Sequence, residues 1–330
     1  MEGEEEMIGK KDIYFGIASI VVVWFGLSCS KENKASHGKI WNIGFSQVTV
    51  KEPWRVIFNE RLQSKAESMT DKVHLTMLDA DDKTENQVSH IQTFISKKMN
   101  AILISPKEAS GCSKAIEEAT KLGIPVIVLD RNTTFRGYAA FIGADNREIG
   151  RAAGHFTVEW LKARGKGTAV VYEICGSLAS TPAQERRNGF HDIVEKEPWI
   201  KILGGLDGDW KLDQSKAIAQ DAFQIHKNID VVYAHNDPMA YGAYQAAREM
   251  GIETSMAFLG IDGLPGEGCL WVKQGVLAAT FLYPTPGEKG LDLALDILEG
   301  RHVLQPGEVI TLSTAVITRD NVDEFLTDTP

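Results

Sequence analysis

The feature that most constrains the fold is a regular alternation of short apolar runs with segments of helical periodicity. The apolar runs cover 40–45, 74–79, 101–105, 125–130 and 141–144 in the first half, and 168–174, 201–206, 229–234, 257–261 and 278–283 in the second. The helical segments cover 86–98, 113–121, 149–163, 214–226 and 239–249. Strands that alternate with helices of this length predict parallel sheets built from βαβ units.

The same alternation appears in both halves of the chain, and 330 residues are enough for two cores. We therefore predict an α/β protein with two doubly wound parallel-sheet lobes rather than one long sheet. In such sheets, ligands bind beyond the carboxyl ends of the strands. The residues at those ends are the first candidates for a functional site.

Charged and amide side chains dominate the positions that directly follow the predicted strands. Asp130 and Arg131 pair a carboxylate acceptor with a planar guanidinium donor, which suits the neighbouring hydroxyls of a sugar. Asn236 and Asp262 add an amide and a second carboxylate from the second half. Each has a structural alternative: an ion pair for the first two, a helix N-cap for Asn236 and a turn for Asp262. Their convergence at one edge of two sheets favours a binding site.

Two tryptophans lie in loop-like sequence near the same strand ends. Trp54 follows Pro53, and Trp210 ends a Gly-Asp-Trp triplet. Their rings can stack on the apolar face of a sugar, although either can equally be a core aromatic.

The net charge excludes one class of partner. The chain has 35 Lys and Arg against 45 Asp and Glu, which gives a formal net charge of -10. Binding a nucleic-acid backbone requires a basic face, so we do not expect a nucleic-acid partner. Cys112, Cys175 and Cys269 lack the spacing of metal ligands, and we expect them to be buried as small apolar side chains, with no metal or cofactor.

The first 28 residues have the organisation of an export signal. A basic pair precedes an apolar stretch over 13–27, which is shorter than the ~20 residues that a bilayer span requires. Cys29 follows and resembles the lipid-bearing cysteine of bacterial lipoproteins, although Gly26 stands where that motif normally has Leu. We expect a leader over 1–28, lipidation at Cys29 and a polar linker over 29–38.

Three alternatives for this leader stay open. They are a plain secretory signal, a retained anchor helix, and a start at Met7 instead of Met1, which would give a regular basic opening. In each case the body is expected on the periplasmic or outer side of the membrane.

From residue 39 onward, several short motifs together resemble the type I periplasmic binding proteins of sugar ABC transporters. They are GFSQ at 44–47, PWR at 53–55, TENQ at 84–87, PVIVLDR at 125–131, QERRNGF at 184–190, GDW at 208–210, VVYAHNDPMAYGA at 231–243 and GIDG at 260–263. The DR, ERxxGF, ND and DG elements resemble ribose-binding proteins. The combination of GFSQ, WR and YAHND is more similar to the galactofuranose-binding branch.

The resemblance implies ligand contacts at ten positions. They are Ser46, Trp54, Arg55, Asp130, Arg131, Arg186, Trp210, Asn236, Asp262 and Tyr283. Tyr283 departs from the pattern, because ribose-binding proteins carry Gln there and the galactofuranose branch carries an acid. The resemblance therefore leaves the identity of the sugar open.

The resemblance also implies lobes that are not contiguous in sequence. The first comprises 39–143 with 284–312, the second comprises 144–283 with 313–330, and a three-segment hinge joins them. The run 309–318 fits the last crossing, since it is too long and interrupted for one strand. By this resemblance the protein is a monomer that captures a monosaccharide such as galactofuranose or ribose by hinge closure. It delivers the sugar to a membrane permease or, alternatively, presents it to a chemotaxis or kinase receptor.

Enzymes and repressors are the competing classes. A nicotinamide dehydrogenase would carry GxGxxG after the first strand, where 44–47 read GFSQ. A glycoside hydrolase could use Asp130 and Asp262 as its carboxylate pair, but Arg131 beside Asp130 keeps that carboxyl ionised. A sugar-sensing repressor needs a DNA-binding domain before the core, where this sequence has the apolar stretch and linker. We therefore expect a binding protein and not an enzyme.

Overall fold

Two six-stranded sheets form the body of the protein in a computed structural model that describes residues 39–303, 305 and 307–327. The first sheet contains β1 (Trp41–Gln47), β2 (Val73–Asp79), β3 (Ala101–Ile104), β4 (Val126–Leu129), β5 (Ala140–Ala144) and β11 (Glu308–Leu312). The second contains β6 (Ala169–Cys175), β7 (Ile200–Asp207), β8 (Val231–Ala234), β9 (Ala257–Leu259), β10 (Ala279–Phe281) and β12 (Val316–Thr318). The strand orders are β11-β5-β4-β3-β1-β2 and β12-β10-β9-β8-β6-β7.

Helices connect most successive strands, as the alternation in the sequence predicts; only β4 and β5, and β11 and β12, are joined without a helix among the described residues. They are α1 (Pro53–Glu67), α2 (Thr84–Ser96), α3 (Ser113–Lys121), α4 (Asn146–Ala163), α5 (Thr181–Val194), α6 (Leu212–Ile225), α7 (Asp237–Glu249), α8 (Leu270–Lys273) and α9 (Gly287–Leu298). A π-helical turn over Pro265–Cys269 precedes α8, and 3-10 turns cover Glu253–Ser255 and Val322–Phe325. The predicted fold class of two doubly wound α/β lobes is confirmed.

The chain passes between the two sheets three times, after β5, after β10 and after β11. The run predicted as the last crossing is split into β11 in the first sheet and β12 in the second. The lobe limits given above for individual residues stay a prediction. Neighbouring strands are parallel except β10 and β12, whose antiparallel pairing ends the second sheet.

The central strands are apolar because helices cover both faces of each sheet. All four residues of β3, β4 and β8 are buried. Cys112, Cys175 and Cys269 are buried, as predicted, and none of them forms a disulfide within the described residues. Their burial raises the pKa of each thiol to about 12, so they are inert packing residues.

Close packing of α4 against α5 fixes the start of the second lobe. A Cβ at Gly150 would lie 2.2 Å from the backbone oxygen of Arg186, and one at Gly189 would lie 2.0 Å from that of Arg147. Only glycine permits this approach of two helix backbones. The packing brings Arg186 on α5 beside the first turn of α4, at the edge of the cleft.

The predicted leader, the lipidation at Cys29 and the linker lie outside the described residues and stay predictions. Within the part of the chain that the structure describes, no helix combines the length and the hydropathy that a membrane span requires.

Candidate ligand-binding site

A small cavity of about 40 Å³ lies where the carboxyl ends of both sheets face each other. Nine of the ten predicted contacts line it, namely Trp54, Arg55, Asp130, Arg131, Arg186, Trp210, Asn236, Asp262 and Tyr283. Glu52, Pro53, Pro182 and Pro238 complete the lining and were not predicted. The volume is several times the ~10 to 15 Å³ that one water molecule needs.

The remaining predicted contact, Ser46, does not line this cavity. Its hydroxyl lies 3.0 Å from Nδ1 of His90, which is on α2. Successive residues of a strand face opposite sides of the sheet, so the side chain of Gln47 has different neighbours from that of Ser46. The side-chain oxygen of Gln47 accepts a hydrogen bond of 2.8 Å from Arg55.

Asp130 is the centre of the first-lobe wall. Its Oδ2 accepts hydrogen bonds from Nη2 of Arg55 at 3.0 Å and from the hydroxyl of Ser105 at 2.9 Å. Its Oδ1 accepts from the hydroxyl of Tyr283 at 2.7 Å. Burial acts to raise the pKa of Asp130, but the charges of Arg55 and Arg131 outweigh it and hold the pKa below its usual value. Asp130 is therefore an ionised acceptor that the protein itself surrounds with donors.

Arg55 is almost fully used by its own lobe. Its Nε donates to Glu52 at 3.0 Å, and its Nη1 donates to Gln47 and, at 3.2 Å, to Ser105. Glu52 lies three residues before Arg55 at the start of α1, a spacing that favours such a pair. The role that these contacts favour for Arg55 is to position Asp130.

Tyr283 joins the two lobes next to a crossing segment. Its hydroxyl accepts a hydrogen bond of 3.3 Å from Nδ2 of Asn146, at the start of α4, while it donates to Asp130. Its backbone oxygen accepts from the indole nitrogen of Trp54 at 2.7 Å, and the two rings are 5.0 Å apart. Burial raises the pKa of Tyr283, so the hydroxyl stays protonated as a donor.

Arg131 brings a buried cation to the same cavity. Its Nη1 donates to the backbone oxygen of Lys107 at 3.2 Å, and its guanidinium carbon lies 5.4 Å from the centre of the Trp210 ring. Burial and then the neighbouring charge of Arg55 lower the pKa of Arg131. Its other N–H groups have no hydrogen-bond acceptor among the described residues and are available to a ligand.

Arg186 provides the corresponding cation of the second lobe. Its Nε donates to Oδ1 of Asn146 at 2.8 Å, and its Nη1 donates to the backbone oxygen of His235. Its guanidinium carbon lies 4.4 Å from the centre of the Tyr283 ring. Asn146 thus links Arg186 to Tyr283; it directly follows a predicted strand end, which is the signal that could have identified it.

Asn236 and Asp262 differ in how their side chains are used. Asn236 caps α7 by accepting from the backbone nitrogen of Met239 at 3.0 Å, and its amide donates to the backbone oxygen of Trp210 at 3.1 Å. The carboxylate of Asp262 receives no hydrogen bond from any described residue. Burial and then the neighbouring Asp237 raise its pKa well above the usual value. Asp262 also has a φ of 136°, a strained conformation of the kind that concentrates at functional sites.

A second buried cluster lies behind Arg186 and offers possible metal ligands. Atoms of Glu173, Cys175 and His235 lie within 4.8 Å of one another. The guanidinium of Arg187, however, contacts Glu173 at 2.9 Å and the sulfur of Cys175 at 3.4 Å. Arg187 and His191 form the cationic side of this cluster. Hydrogen bonds from His191 and His235 hold the pKa of Glu173 at about 2 against burial. The cluster therefore already has its counterions within the chain.

Comparison with known proteins gives the family. Residues 43–302 match the family described as periplasmic binding protein domain. The chain belongs to the periplasmic binding protein family. A galactofuranose-binding protein, YtfQ of Escherichia coli, is 33% identical over 231 residues, which cover 68% of this chain and 71% of that protein.

Two further relatives are named for other sugars. The ribose import binding protein RbsB of Bacillus subtilis is 28% identical over 276 residues, or 83% of this chain and 87% of that protein. The solved fructose binding periplasmic domain of the hybrid two component system BT1754 is 37% identical, with a TM-score of 0.81, and covers 87% of this chain and 93% of that one. The first two relatives are named as binding proteins and the third as a binding domain, which agrees with the binding role expected for this chain.

Proposed function

We propose that this protein captures a single monosaccharide in the cavity between its lobes. The observation that carries the proposal is a buried lining that combines free donors on Arg131, a free carboxylate on Asp262 and aromatic faces. Sugar hydroxyls both donate and accept hydrogen bonds, so they can meet both kinds of group at once. The named ligands of the relatives, which are galactofuranose, ribose and fructose, support the same class.

Capture proceeds by hinge closure, as in periplasmic binding proteins generally. In the open state the polar residues of both lobes face water, and the ligand stabilises the closed state as far as it binds that state better. A dissociation constant of 1 μM corresponds to ~8 kcal/mol. Hydrogen bonds to charged groups contribute ~1.5 to 3 kcal/mol each, so three or four of them suffice.

A binding role agrees better with the site than hydrolysis does. The pKa values of Asp130 and Asp262 shift in opposite directions, which is the pattern of an acid and base pair. However, both oxygens of Asp130 already accept hydrogen bonds from Arg55, Ser105 and Tyr283, which weakens it as a nucleophile or base. Turnover of nitrophenyl glycosides by the purified protein would contradict the binding role.

Delivery to the permease of an ABC transporter is the proposed destination of the sugar. The import role named for RbsB supports it. Presentation to a sensor is the second candidate, and the 37% identity with a domain of a two component system favours it. In both cases we propose an exported protein, with residues 1–28 as leader and a lipid anchor at Cys29. A strain lacking this protein separates the two roles if uptake of the bound sugar and gene induction by that sugar are both measured. Loss of uptake supports transport, and loss of induction supports sensing.

The direct test is a thermal-shift panel of D-ribose, L-arabinose, D-fructose, D-galactose and methyl galactofuranoside. A ligand that binds only the folded protein stabilises it by RT ln(1 + [L]/Kd), so the bound sugar raises the melting temperature. Arg131→Ala removes the free donors of the first lobe and should abolish the shift, while circular dichroism remains unchanged. Undiminished binding by this variant would overturn the assignment of the site.

A further inference from the structure

The two tryptophans of the cavity differ in one atom-level feature. Both are buried, with 5% of Trp54 and 7% of Trp210 exposed. The indole nitrogen of Trp54 donates to the backbone oxygen of Tyr283 at 2.7 Å. The indole nitrogen of Trp210 is also buried but has no hydrogen-bond acceptor among the described residues. A buried donor without an acceptor destabilises the folded protein, so such groups call for an explanation.

The conformation of Trp210 is strained and is held by its surroundings. Trp210 has a φ of 64° and Asp209 a φ of 49°, both in the left-handed region, which is strained for a bulky residue such as Trp. The backbone nitrogen of Asp209 donates to Asp207 at 2.8 Å, and the backbone oxygen of Trp210 accepts from Asn236. These contacts fix the loop after β7 in this unusual conformation.

A glycine in the segment after β6 makes room for the indole ring. A Cβ at Gly176 would lie 2.3 Å from Cη2 of Trp210, so any larger residue would displace the ring. The strained backbone of Trp210, the space at Gly176 and the hydrogen bond from Asn236 together fix the position of this ring. A ring that only filled space would not require this arrangement, because an unstrained apolar side chain could do the same.

The surroundings of Trp210 restrict what can accept its hydrogen bond. The guanidinium carbons of Arg131 and Arg186 each lie 5.4 Å from the centre of its ring. Two cations at this distance repel a cationic or amine ligand and favour an oxygen acceptor. Hydroxyl and ring oxygens of a sugar are acceptors of this kind.

We infer that Trp210 determines specificity by donating a hydrogen bond from its indole nitrogen to one oxygen atom of the bound sugar. This inference rests on the proposed function and deepens it. The site then discriminates against the deoxy sugar that lacks this oxygen, because that sugar leaves the indole N–H buried without an acceptor.

The test compares Trp210→Phe with wild type by calorimetry, using whichever sugars of the thermal-shift panel bind wild type. Phe keeps an aromatic face and removes the donor, so we expect the dissociation constant to rise about fivefold or more. Trp199→Phe is the matched control, because Trp199 donates to Glu197 at 2.6 Å and is not part of the cavity lining. It should leave the dissociation constant unchanged.

Deoxy analogues of the bound sugar identify the oxygen. For one analogue, the losses of affinity from the missing oxygen and from Trp210→Phe should not add, since both remove the same hydrogen bond. Additive losses for every analogue, or equal affinity of wild type and Trp210→Phe, would overturn the inference while leaving sugar binding established. If no sugar of the panel binds wild type, the proposed function fails and the inference with it.

An NMR measurement on the wild-type protein avoids dependence on a variant. In a ¹⁵N-labelled sample, the indole signal that is missing from Trp210→Phe identifies Trp210 among the seven tryptophans. Saturating sugar should move this signal downfield and slow its exchange with water, whereas the signal of Trp199 should stay. An indole signal of Trp210 that does not respond to bound sugar contradicts the proposed hydrogen bond.

Discussion

The two walls of the cavity differ in how far the protein satisfies their polar groups. On the wall formed by the first lobe and the hinge, Asp130 accepts from Arg55, Ser105 and Tyr283. On the second-lobe wall, the carboxylate of Asp262 receives no hydrogen bond from the described residues, and the indole nitrogen of Trp210 donates none. Apart from the free N–H groups of Arg131, the first wall is preorganised by the chain, whereas Asp262 and Trp210 on the second wall depend on the ligand.

This difference gives Asp130 and Asp262 separate roles, although both follow predicted strands and look equivalent in sequence. A satisfied network stabilises the fold and holds its members in one geometry. Groups without partners reduce stability but give selectivity, because only a ligand with the matching group relieves their cost. Stability is therefore expected to depend on the first wall and selectivity on the second.

The largest effect is expected from Asp130→Ala. It leaves Arg55 and Arg131 as buried cations and the hydroxyl of Tyr283 without its acceptor. Removing one partner of a buried ion pair costs ~3 to 5 kcal/mol, so the free energy of unfolding, measured with urea, should fall by that amount and sugar binding should be lost. Asp130→Asn, which keeps an acceptor oxygen, should lose less. A fully stable Asp130→Ala would contradict the preorganised wall.

On the other wall, Asp262→Asn should separate stability from affinity. It removes a buried carboxyl group that has no donor and whose raised pKa means that it disfavours the fold at neutral pH, so the free energy of unfolding without sugar should rise by ~1 to 3 kcal/mol. Affinity should fall about tenfold or more, since hydrogen bonds to a charged acceptor are the strong ones.

The neighbouring Asp237 provides the control for this substitution. Its carboxylate accepts from the backbone nitrogen of Gly263 at 2.8 Å and from the hydroxyl of Thr280 at 2.6 Å. Asp237→Asn breaks a satisfied pair and should destabilise. If Asp262→Asn also destabilises, the carboxylate of Asp262 belongs to a structural network and the contrast between the walls fails.

The sequence allowed the position of the site to be predicted, but not this contrast. Strand ends are visible from periodicity, so Asp130, Arg131 and Asp262 could be predicted to lie near one another, and all three line the cavity. Ser46 was also predicted as a contact, but its hydroxyl lies beside His90 and outside the cavity lining, because strand register decides which sheet face a side chain occupies.

Partners that are distant in sequence could not be predicted. Tyr283 meets Asn146 and Asp130 across 137 and 153 residues. A missing partner is harder still to predict, since it requires knowledge of every neighbour of an atom. The sequence marks Trp210 as an aromatic near a strand end, but only the folded arrangement leaves its indole nitrogen without an acceptor.

A smaller effect on stability and affinity is expected when the pH is changed. The raised pKa of Asp262 means that the folded protein binds this proton more tightly than the unfolded chain, so its contribution lowers stability as the pH rises. A sugar hydroxyl that donates to the carboxylate favours the ionised form. Affinity should therefore increase with pH, with release of a proton on binding. Calorimetry between about pH 5 and pH 8, in buffers of different ionisation enthalpy, measures both.

Other titratable groups lie near Asp262, so a variant is needed to assign the pH dependence of affinity to this residue. The pKa of Asp237 is raised to about 6 and that of Glu267 to about 7, mainly by burial, so both titrate in the same range. Arg186 and Glu52 also face Asp262 and shift its pKa in opposite directions. Asp262→Asn should flatten the dependence of affinity on pH. A dependence that persists in this variant belongs to Asp237 or Glu267 instead.

The smallest expected effect is a difference in stability between variants of the two tryptophans, one on each wall. Trp54→Phe removes the hydrogen bond to the backbone oxygen of Tyr283, so the free energy of unfolding should fall by ~1 kcal/mol. Trp210→Phe breaks no indole hydrogen bond within the described chain, so the unliganded protein should lose less stability than Trp54→Phe does. Urea denaturation of both variants without sugar measures the difference. Equal losses would show that ring packing dominates at both positions, and the difference between the walls would then rest on the carboxylates alone.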